Sequence, residues 1–366
     1  FSFWPGACEP RVSGACPHFG VCGGCQLFAL EEPDYLAAKK KIVADALAGH
    51  GLAPARLNDV VACPPRSRRR ASIKLWQDER GNTQTGFSAE RSHALVPIDT
   101  CLVLSPALRD FTLAVRAHVP ARVLGASQVT LSLTVAQEGV DVDVAAKPAL
   151  AAAVREALVT ALRMTGAVRI THDGDLIHQS AAPHVMLDEV PVRLTPRPFL
   201  QAVPQAQAAM CAHVLEIVKG AKRVADLFAG LGTFALPLSR RHAVHAVEGD
   251  EAAAASLKSA AARLQGRKPV SVECRDLFRR PLLASELKAF DAIVLDPPFQ
   301  GAREQCAELA KLPKGRIAYV SCNPSSFARD AALLVKSGWR LDAVTPIDQF
   351  LWSRQVELVA GFTRAG

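Results

Sequence analysis

The C-terminal part of the chain carries the pattern that most limits its fold, an alternation of short apolar strands with helices after Pro198. Strands are predicted at 223–228, 243–248, 270–274, 290–295 and 316–321, with two more near 339–347 and 356–362. Helices are predicted at 204–218, after the glycine loop that follows the first strand, at 251–264, from about 302 and at 327–336. This alternation predicts an α/β fold with a mostly parallel sheet and helices on both faces. Residues at the carboxyl ends of its strands are therefore the first candidates for function.

The part of the chain before Pro198 has a different organisation. A helix is predicted over Glu31–Gly49, strands from about 57 to 104 with a turn at 80–82, and a hairpin from 129 to 145. An Ala-rich helix at 149–164 and short strands to about 195 follow. Residues 1–30 are rich in Cys, Gly and Pro and have no helical or strand period. Three parts are thus expected: a Cys-rich metal-binding segment at 1–30, a smaller α+β domain at 31–195 and an α/β domain at 196–366.

Composition limits the setting in which such a chain works. With 366 residues, 49% hydrophobic and 21% charged, it is expected to be a soluble protein of two or three domains. The absence of a long apolar run and of a secretory leader favours a cytoplasmic protein with no membrane contact. A net charge of +8 favours a polyanionic partner such as RNA. Ten cysteines in a chain of this length indicate a reducing compartment and not a disulfide scaffold.

A glycine loop follows the first strand of the α/β part, in the run Asp226–Thr233. Gly230 and Gly232 allow the backbone to turn sharply and to approach a ligand closely. Glu248 ends the next strand, where a carboxylate can accept both hydroxyls of a ribose. Because the loop lacks a third glycine spaced for a pyrophosphate, the pattern favours S-adenosylmethionine over NAD.

Two further loops at strand ends carry chemistry. Asp296-Pro-Pro-Phe299 places a carboxylate on a turn that the prolines stiffen. Cys322, in Ser-Cys-Asn-Pro, precedes a predicted helix N-terminus, which would lower the pKa of its thiol. Glu357 lies in the last, otherwise apolar strand, where burial would raise the pKa of a general base. A thiol beside a methyl-donor site indicates covalent activation of a base such as uracil, whose carbon 5 is a poor nucleophile.

The N-terminal cysteines predict a metal site. Cys16, Cys22 and Cys25 lie close together among turn-forming residues, and Cys101, in a loop-like break, is the expected fourth ligand. A set that uses Cys8 in place of Cys101 is the alternative. Four cysteines suit either zinc or an iron–sulfur cluster, and their spacing does not separate the two.

A basic run beyond these cysteines predicts contact with nucleic acid. Its side chains could follow RNA phosphates, and a solvated basic strand is the competing interpretation. The basic residues concerned are Arg66, Arg68, Arg69, Arg70 and Lys74.

Taken together, these residues resemble the RNA uracil-C5 methyltransferases, most closely their iron–sulfur-containing 23S rRNA branch. The similarity spans about residues 16 to 362. The matching stretches, in order, are Cys16–Gln26, Phe199–Gln201, Asp226–Thr233, Asp296–Pro298, Ser321–Asp330 and Phe350–Glu357.

The resemblance implies a Rossmann-like S-adenosylmethionine-dependent methyltransferase domain at the C-terminus and a role for each matched residue. Cys322 would be the nucleophile, Glu357 the base, and Phe299 a contact for RNA. The residues implied to bind S-adenosylmethionine are Gln201, Phe228, Gly230, Gly232, Thr233, Glu248, Asp276 and Asp296. Cys16, Cys22, Cys25 and Cys101 would hold a [4Fe-4S] cluster. The expected partner is RNA, foremost 23S rRNA, with no obligate protein partner.

Four positions depart from the family pattern. Phe299 stands where arginine is usual, Pro204 lies near a usual asparagine position, and Gln355 replaces a common histidine. A small N-terminal β-barrel found in many members of the branch is not in this sequence. Alternatives therefore stay open: an amino-methyltransferase that uses Asp296–Phe299, a tRNA uracil-C5 or RNA cytosine-C5 methyltransferase, or a non-catalytic iron–sulfur RNA-binding protein.

Overall fold

The computed structural model describes residues 16–124, 128–147 and 149–365. The helices are α1 Glu32–Ala48, α2 Pro106–His118, α3 Ala121–Leu124, α4 Ala152–Met164, α5 Pro204–Ile217, α6 Ala235–Leu238, α7 Glu251–Ala261, α8 Ala284–Leu287, α9 Arg303–Leu309 and α10 Pro324–Lys336. The first ten strands are β1 Arg56–Leu57, β2 Arg70–Gln77, β3 Thr83–Ser88, β4 Leu95–Pro97, β5 Gln128–Val135, β6 Val140–Lys147, β7 Ala167–His172, β8 Asp175–Gln179, β9 His184–Leu187 and β10 Val190–Arg193. The others are β11 Arg223–Leu227, β12 Ala243–Glu248, β13 Val270–Cys274, β14 Ala292–Leu295, β15 Gly315–Ser321, β16 Arg340–Ile347 and β17 Glu357–Arg364. In these three ranges no helix is both long and apolar enough to span a membrane.

The larger sheet has the strand order β1-β16-β17-β15-β14-β11-β12-β13. Its strands are parallel except β17, which runs antiparallel to β15 and β16. The predicted mostly parallel α/β sheet is therefore confirmed. The chain moves outward through β12 and β13 on one side of β11 and through β14 and β15 on the other. The strand order thus reverses between β11 and β14, which is where sheets of this kind leave a crevice for ligands.

A second sheet, with the order β4-β3-β2-β5-β6-β7-β8, forms a smaller domain. One face of it packs with α2 and α4 around a separate apolar core that includes Ile73, Leu75 and Leu131. The predicted hairpin is present as β5 and β6. Helix α2 was not predicted, although Ser105 caps it through Oγ, which accepts from the Leu108 N–H, and Pro106 begins it. These two residues were the available signal for a helix start.

Helix α1 packs mainly on the larger sheet, and only its first turn also meets the smaller domain, at Leu102. Tyr35, Lys39, Val43 and Leu47 form its buried face, and Val43 and Leu47 join the core beneath α10 and β16. Strand β1 extends the same sheet by pairing with β16. The hairpin β9–β10 likewise packs against α7. The packing therefore differs from the predicted boundaries at 31 and 195, because periodicity identifies an apolar face but not the surface that covers it.

A buried ion pair in the smaller domain also binds the backbone of the segment that follows this domain in the sequence. The guanidinium of Arg169, on β7, binds both carboxylate oxygens of Asp141, on β6, at 2.8 and 2.7 Å. It also donates to the carbonyls of Leu194 and Thr195 at 2.8 and 2.7 Å. Both side chains of the pair are at most 5% exposed.

Replacing Arg169 with Met should destabilise the protein by about 3–5 kcal/mol, because Asp141 would stay buried without its counter-ion. The control is Arg197→Met, since Arg197 is 55% exposed and its Nε lies 3.8 Å from Asp143. That change should cost at most about 1 kcal/mol. Urea denaturation of both variants measures the difference, and equal losses would contradict this account of the pair.

Candidate active site

The glycine loop begins with a strained turn directly after β11. Phe228 has a φ of +62°, and Gly230 and Gly232 have φ of +53° and +96°. A Cβ added at Gly232 would lie 2.4 Å from Cδ1 of Leu257, so a side chain cannot be placed there without movement. The tight turn lies at the centre of the sheet edge, and the N–H groups of Ala229, Gly230 and Gly232 are hydrogen-bonded within it and to the end of β12. The residues predicted for the cofactor loop thus form one compact turn.

Acidic side chains follow the next two strands. Glu248 ends β12, and its two carboxylate oxygens accept the N–H groups of Gly230 and Asp250, each at 2.7 Å. Asp276 lies beyond the end of β13 and accepts the N–H of Phe278 at 2.9 Å. The rings of Phe278 and Phe228 are 5.3 Å apart. The structure therefore brings Phe228, Glu248 and Asp276 to neighbouring strand ends.

Thr233 and Asp226 lie deeper than the rest of this loop. Thr233 is 8% exposed, and its carbonyl accepts from the thiol of Cys211 at 3.4 Å. Asp226, in β11, is fully buried, and burial together with the nearby Asp296 raises the pKa of its carboxyl well above its ordinary value. Beneath the glycine loop, the charged groups that act on Asp226 are thus themselves acidic.

The loop after β14 is joined to the loop after β15. The carbonyl of Phe299 accepts from Asn323 Nδ2 at 2.9 Å and from Ser326 Oγ at 3.0 Å. Asn323 also caps α10, since its Oδ1 accepts the Ser325 N–H. Because Cys322 directly precedes this cap, the two loops hold Asp296 and Cys322 at adjacent strand ends. The ring of Phe299 is 61% exposed.

A chain of hydrogen bonds connects the two carboxyls of the site. Gln201 Nε2 donates to Asp296 Oδ2 at 3.0 Å. Gln349 Nε2 donates to Gln201 Oε1 at 2.9 Å and to Glu357 Oε2 at 2.7 Å. Gln201, Gln349 and Glu357 are each at most 3% exposed. Amide side chains therefore bridge the loop after β14 and the start of β17.

Burial dominates the electrostatics of these groups. It raises the pKa of Asp296 to about 7, against the hydrogen bond from Gln201, which lowers it. Burial, with the charge of Asp296, raises the pKa of Glu357 well above its usual value. Burial, Glu357 and Asp296 raise the pKa of Cys322 to about 12. The lowering expected from the helix N-terminus is thus outweighed, first by burial of the thiol and then by the two nearby carboxyls.

Sequence reasoning missed Gln349 and, behind it, Lys39. Gln349 directly follows Asp348 at the end of β16, which is a strand end like those that carry the predicted site residues. Lys39 lies at i+4 from Tyr35 and i−4 from Val43, so a lysine on the apolar face of α1 was the signal.

The four predicted cysteine ligands come together around one cavity. Cys16, Cys22, Cys25 and Cys101 all line it, with Trp352 at its wall. Burial and the other three thiols raise the pKa of Cys25 to about 12. Within the part of the chain that the structure describes, no set of three or more Cys, His, Asp or Glu side chains is arranged around a single metal ion. The alternative ligand Cys8 lies outside the described residues.

The basic run is more buried than a solvated strand would be. Arg69 donates to the carbonyl of Gln201 at 3.0 Å and to Gln207 Oε1 at 2.7 Å. Arg70 donates to the carbonyl of Pro198 at 3.0 Å. Burial lowers the pKa of Arg68, Arg69 and Arg70, that of Arg69 to about 10. These arginines therefore join the two domains. Arg66 is exposed, and Lys74 donates to Thr130 Oγ1 at 2.8 Å on the face of β2 away from the helices.

A family model and a solved structure match this chain. A family model described as Conserved hypothetical protein 95 matches residues 189–322. A solved structure, the tRNA (uracil-54, C5)-methyltransferase of Pyrococcus abyssi with S-adenosyl-L-homocysteine, superposes with a TM-score of 0.71 at 22% identity. The match covers 93% of this chain and 85% of that one. This likeness establishes the shared α/β methyltransferase fold.

Curated relatives match over nearly the whole chain. An "Uncharacterized RNA methyltransferase" of Brucella suis is 40% identical, covering 98% of this chain and 86% of that protein. A protein of the same description from Agrobacterium fabrum is 42% identical, covering 97% of this chain and 86% of that protein. The 23S rRNA (uracil(1939)-C(5))-methyltransferase of Shewanella amazonensis is 31% identical, covering 97% and 83%. The chain belongs to the RNA uracil-C5 methyltransferase family.

Proposed function

We propose that this protein transfers the methyl group of S-adenosylmethionine to carbon 5 of a uridine in 23S rRNA, through a covalent bond between Cys322 and carbon 6. The observation that carries the proposal is the meeting of Cys322, Asp296 and Glu357 at adjacent strand ends. The charges of both carboxyls act on the thiol, and hydrogen bonds connect the two carboxyls to each other. The 31% identity to the enzyme from Shewanella amazonensis supports 23S rRNA as the substrate.

The glycine loop and its neighbours would bind the methyl donor. Glu248 keeps free lone pairs for the ribose hydroxyls, although each of its oxygens already accepts one backbone N–H. Asp276 would reach the adenine, beside the ring of Phe228. Gly230 leaves room for the ligand, and Gly232 lets the loop lie close against Leu257. Gln201 and Asp296 would face the amino acid end of the ligand. Thr233, which is largely buried, would shape the loop from beneath.

The positive charge of S-adenosylmethionine suits this site. The thiol of Cys322 lies near two carboxyls and is protonated at neutral pH without a ligand, as its raised pKa requires. A sulfonium group placed beside Asp296 would favour the ionised forms of both carboxyls and of the thiol. Binding of the donor would therefore help to form the nucleophile.

The reaction then follows from the chemistry of uracil. The target base leaves its stack and enters the site. The Cys322 thiolate would add to carbon 6, and the electron pair of the C5–C6 double bond would attack the methyl group, whose bond to sulfur breaks to leave S-adenosylhomocysteine. Glu357 removes the proton of carbon 5, the double bond re-forms, and the thiolate leaves. A carboxylate base gains proton affinity as its pKa rises toward the working pH, but Glu357 must be ionised when it acts.

The cysteine cavity would hold a [4Fe-4S] cluster. Its four lining cysteines come from two segments, one at 16–25 and one at 101, and they face the same space. A cluster binds its irons through separate thiolates, so its four sulfurs lie farther apart than the ligands of one tetrahedral ion. The cluster would join the N-terminal segment to the smaller domain.

RNA carrying 5-fluorouridine at the target should trap a covalent complex of protein, RNA and methyl group. Fluorine cannot leave as a proton, so Glu357 cannot complete the cycle. Cys322→Ala should form no complex and lose at least about a hundredfold in rate. Glu357→Gln should accumulate the complex on normal RNA. Denaturing gels with labelled S-adenosylmethionine measure the covalent complex in each variant. The control is Cys274→Ala, which changes an exposed cysteine.

Methylation of an exocyclic amine is the competing outcome, favoured by the exposed ring of Phe299 on which a base could stack. That chemistry needs no thiol. It would give no complex with 5-fluorouridine, and Cys322→Ala would lose less than about tenfold in rate. Such results would replace the uracil proposal.

Protein purified without oxygen should contain about four irons and four inorganic sulfides per chain. Cys25→Ser should lose the iron because it removes one of the four facing thiols. Cys274→Ser should retain it, because that cysteine is exposed and distant from the cavity. Metal analysis and visible absorbance measure the content, and a colourless protein with one tightly bound zinc would contradict the cluster.

Arg66, which is exposed, and Lys74, which is half-buried, should bind RNA phosphates, whereas Arg69 should be needed for domain packing. Arg66→Ala and Lys74→Ala should weaken binding and reduce the slope of log affinity against log salt, by about 0.7 for each phosphate that the variant no longer neutralises. Arg155→Ala, on α4 at the opposite face of the smaller domain, should change neither. Binding titrations at several salt concentrations distinguish these outcomes. An unchanged slope for Arg66 and Lys74 would leave them as a solvated surface.

A further inference from the structure

Gln349 has a side-chain orientation that its neighbours determine. Its Nε2 donates to Gln201 Oε1 and to Glu357 Oε2, and both partners are acceptors. With Glu357 ionised, rotating the amide by half a turn would bring its oxygen against two other oxygens, so the reverse assignment does not fit the state in which Glu357 acts as a base. Both N–H groups are thus committed, one toward each half of the site.

The other end of the same amide lacks a partner. Gln349 is 3% exposed, and its Oε1 is buried without a hydrogen bond among the described residues. A residue kept only for packing would be better replaced by an apolar side chain, since a buried unpaired carbonyl is destabilising. The position therefore indicates a requirement for the N–H groups themselves.

We infer that Gln349 is a positioning residue, which holds the carboxylate of Glu357 in one orientation for removal of the carbon-5 proton. This inference rests on the proposed function. In the step concerned, the C5–H bond breaks and the proton passes to Glu357. The electron pair of the C5–H bond re-forms the C5–C6 double bond, and the C6–S bond breaks to release the Cys322 thiolate. Gln349 acts through Glu357 and exchanges no proton itself.

The charged surroundings of Glu357 make the hydrogen bond from Gln349 important. The titratable groups that act on it are Asp296, after β14, and Cys322, after β15. On the side of α1, Lys39 is already bound to Asp348 and to the carbonyls of Phe350 and Gln355. The hydrogen bond from Gln349 lowers the pKa of Glu357, against burial and Asp296, which raise it. Without this bond, ionisation of the base would require a higher pH.

The test uses the full-length protein, unmodified target RNA and labelled S-adenosylmethionine. Gln349→Met keeps the length of the side chain and removes both donors. It should slow release of methylated RNA by about tenfold or more. Methyl transfer should continue, so a covalent complex that carries the label should accumulate. The rate of release should recover at higher pH than in the wild type.

Gln349→Glu is the second variant, because it keeps the shape of the side chain and replaces the amide N–H with a second carboxyl, which further disfavours ionisation of Glu357. It should also accumulate the labelled complex at neutral pH. Gln265→Met makes the matched change at an exposed glutamine of the same domain and should accumulate none.

Two results would overturn the inference: unchanged release in both Gln349 variants, or parallel losses of adduct formation and release with no accumulation. Failure of the proposed function is recognised separately. If wild-type protein forms no complex with 5-fluorouridine RNA, the uracil mechanism itself is wrong. If it does form one while the Gln349 variants release product normally, only the role of Gln349 is wrong.

Discussion

The site depends on one buried ion pair between the first helix and the penultimate strand. Lys39 is fully buried, and its Nζ lies 2.9 Å from Asp348 Oδ1. The same ammonium donates to the carbonyls of Phe350 at 2.9 Å and Gln355 at 2.6 Å. It thus fixes both ends of the segment that leads to Glu357. Removing either charge would leave the other buried and unpaired, which is strongly destabilising. A helix distant in sequence therefore determines where the candidate base lies.

The same segment forms one wall of the cysteine cavity. Trp352 lines the cavity, and its ring meets that of Phe28 edge-on with centroids 4.9 Å apart. The carbonyl of Trp352 accepts the Leu27 N–H at 2.8 Å, and its own N–H donates to the hydroxyl of Tyr35 at 2.8 Å. The cavity and the candidate base are thus connected through one short stretch of backbone. Order in the N-terminal segment contributes in this way to order in the site.

The domain interface reaches the site through Gln201. Arg69, from the smaller domain, donates to the carbonyl of Gln201, whose side chain connects Asp296 with Gln349. Arg70 lies over the ring of Phe199 at 5.0 Å on the same interface. The arginines that composition alone assigns to RNA therefore support the site from behind. Positive charge that is free for RNA lies at neighbouring positions such as Arg66.

The sequence alone determined the α/β sheet, the order of most of its elements and the strand ends that carry Glu248, Asp296 and Cys322. Local periodicity and turn residues encode these features, and parallel strands bring their carboxyl ends to one edge. The tertiary structure decided the rest: which surface covers α1, how Gln349 bridges Gln201 and Glu357, and that Arg69 is half-buried between the two domains. It also raised the pKa of Cys322, which the sequence had led us to expect to be lowered. Such properties depend on contacts between residues hundreds of positions apart, and the burial of a charge is not visible until those contacts form.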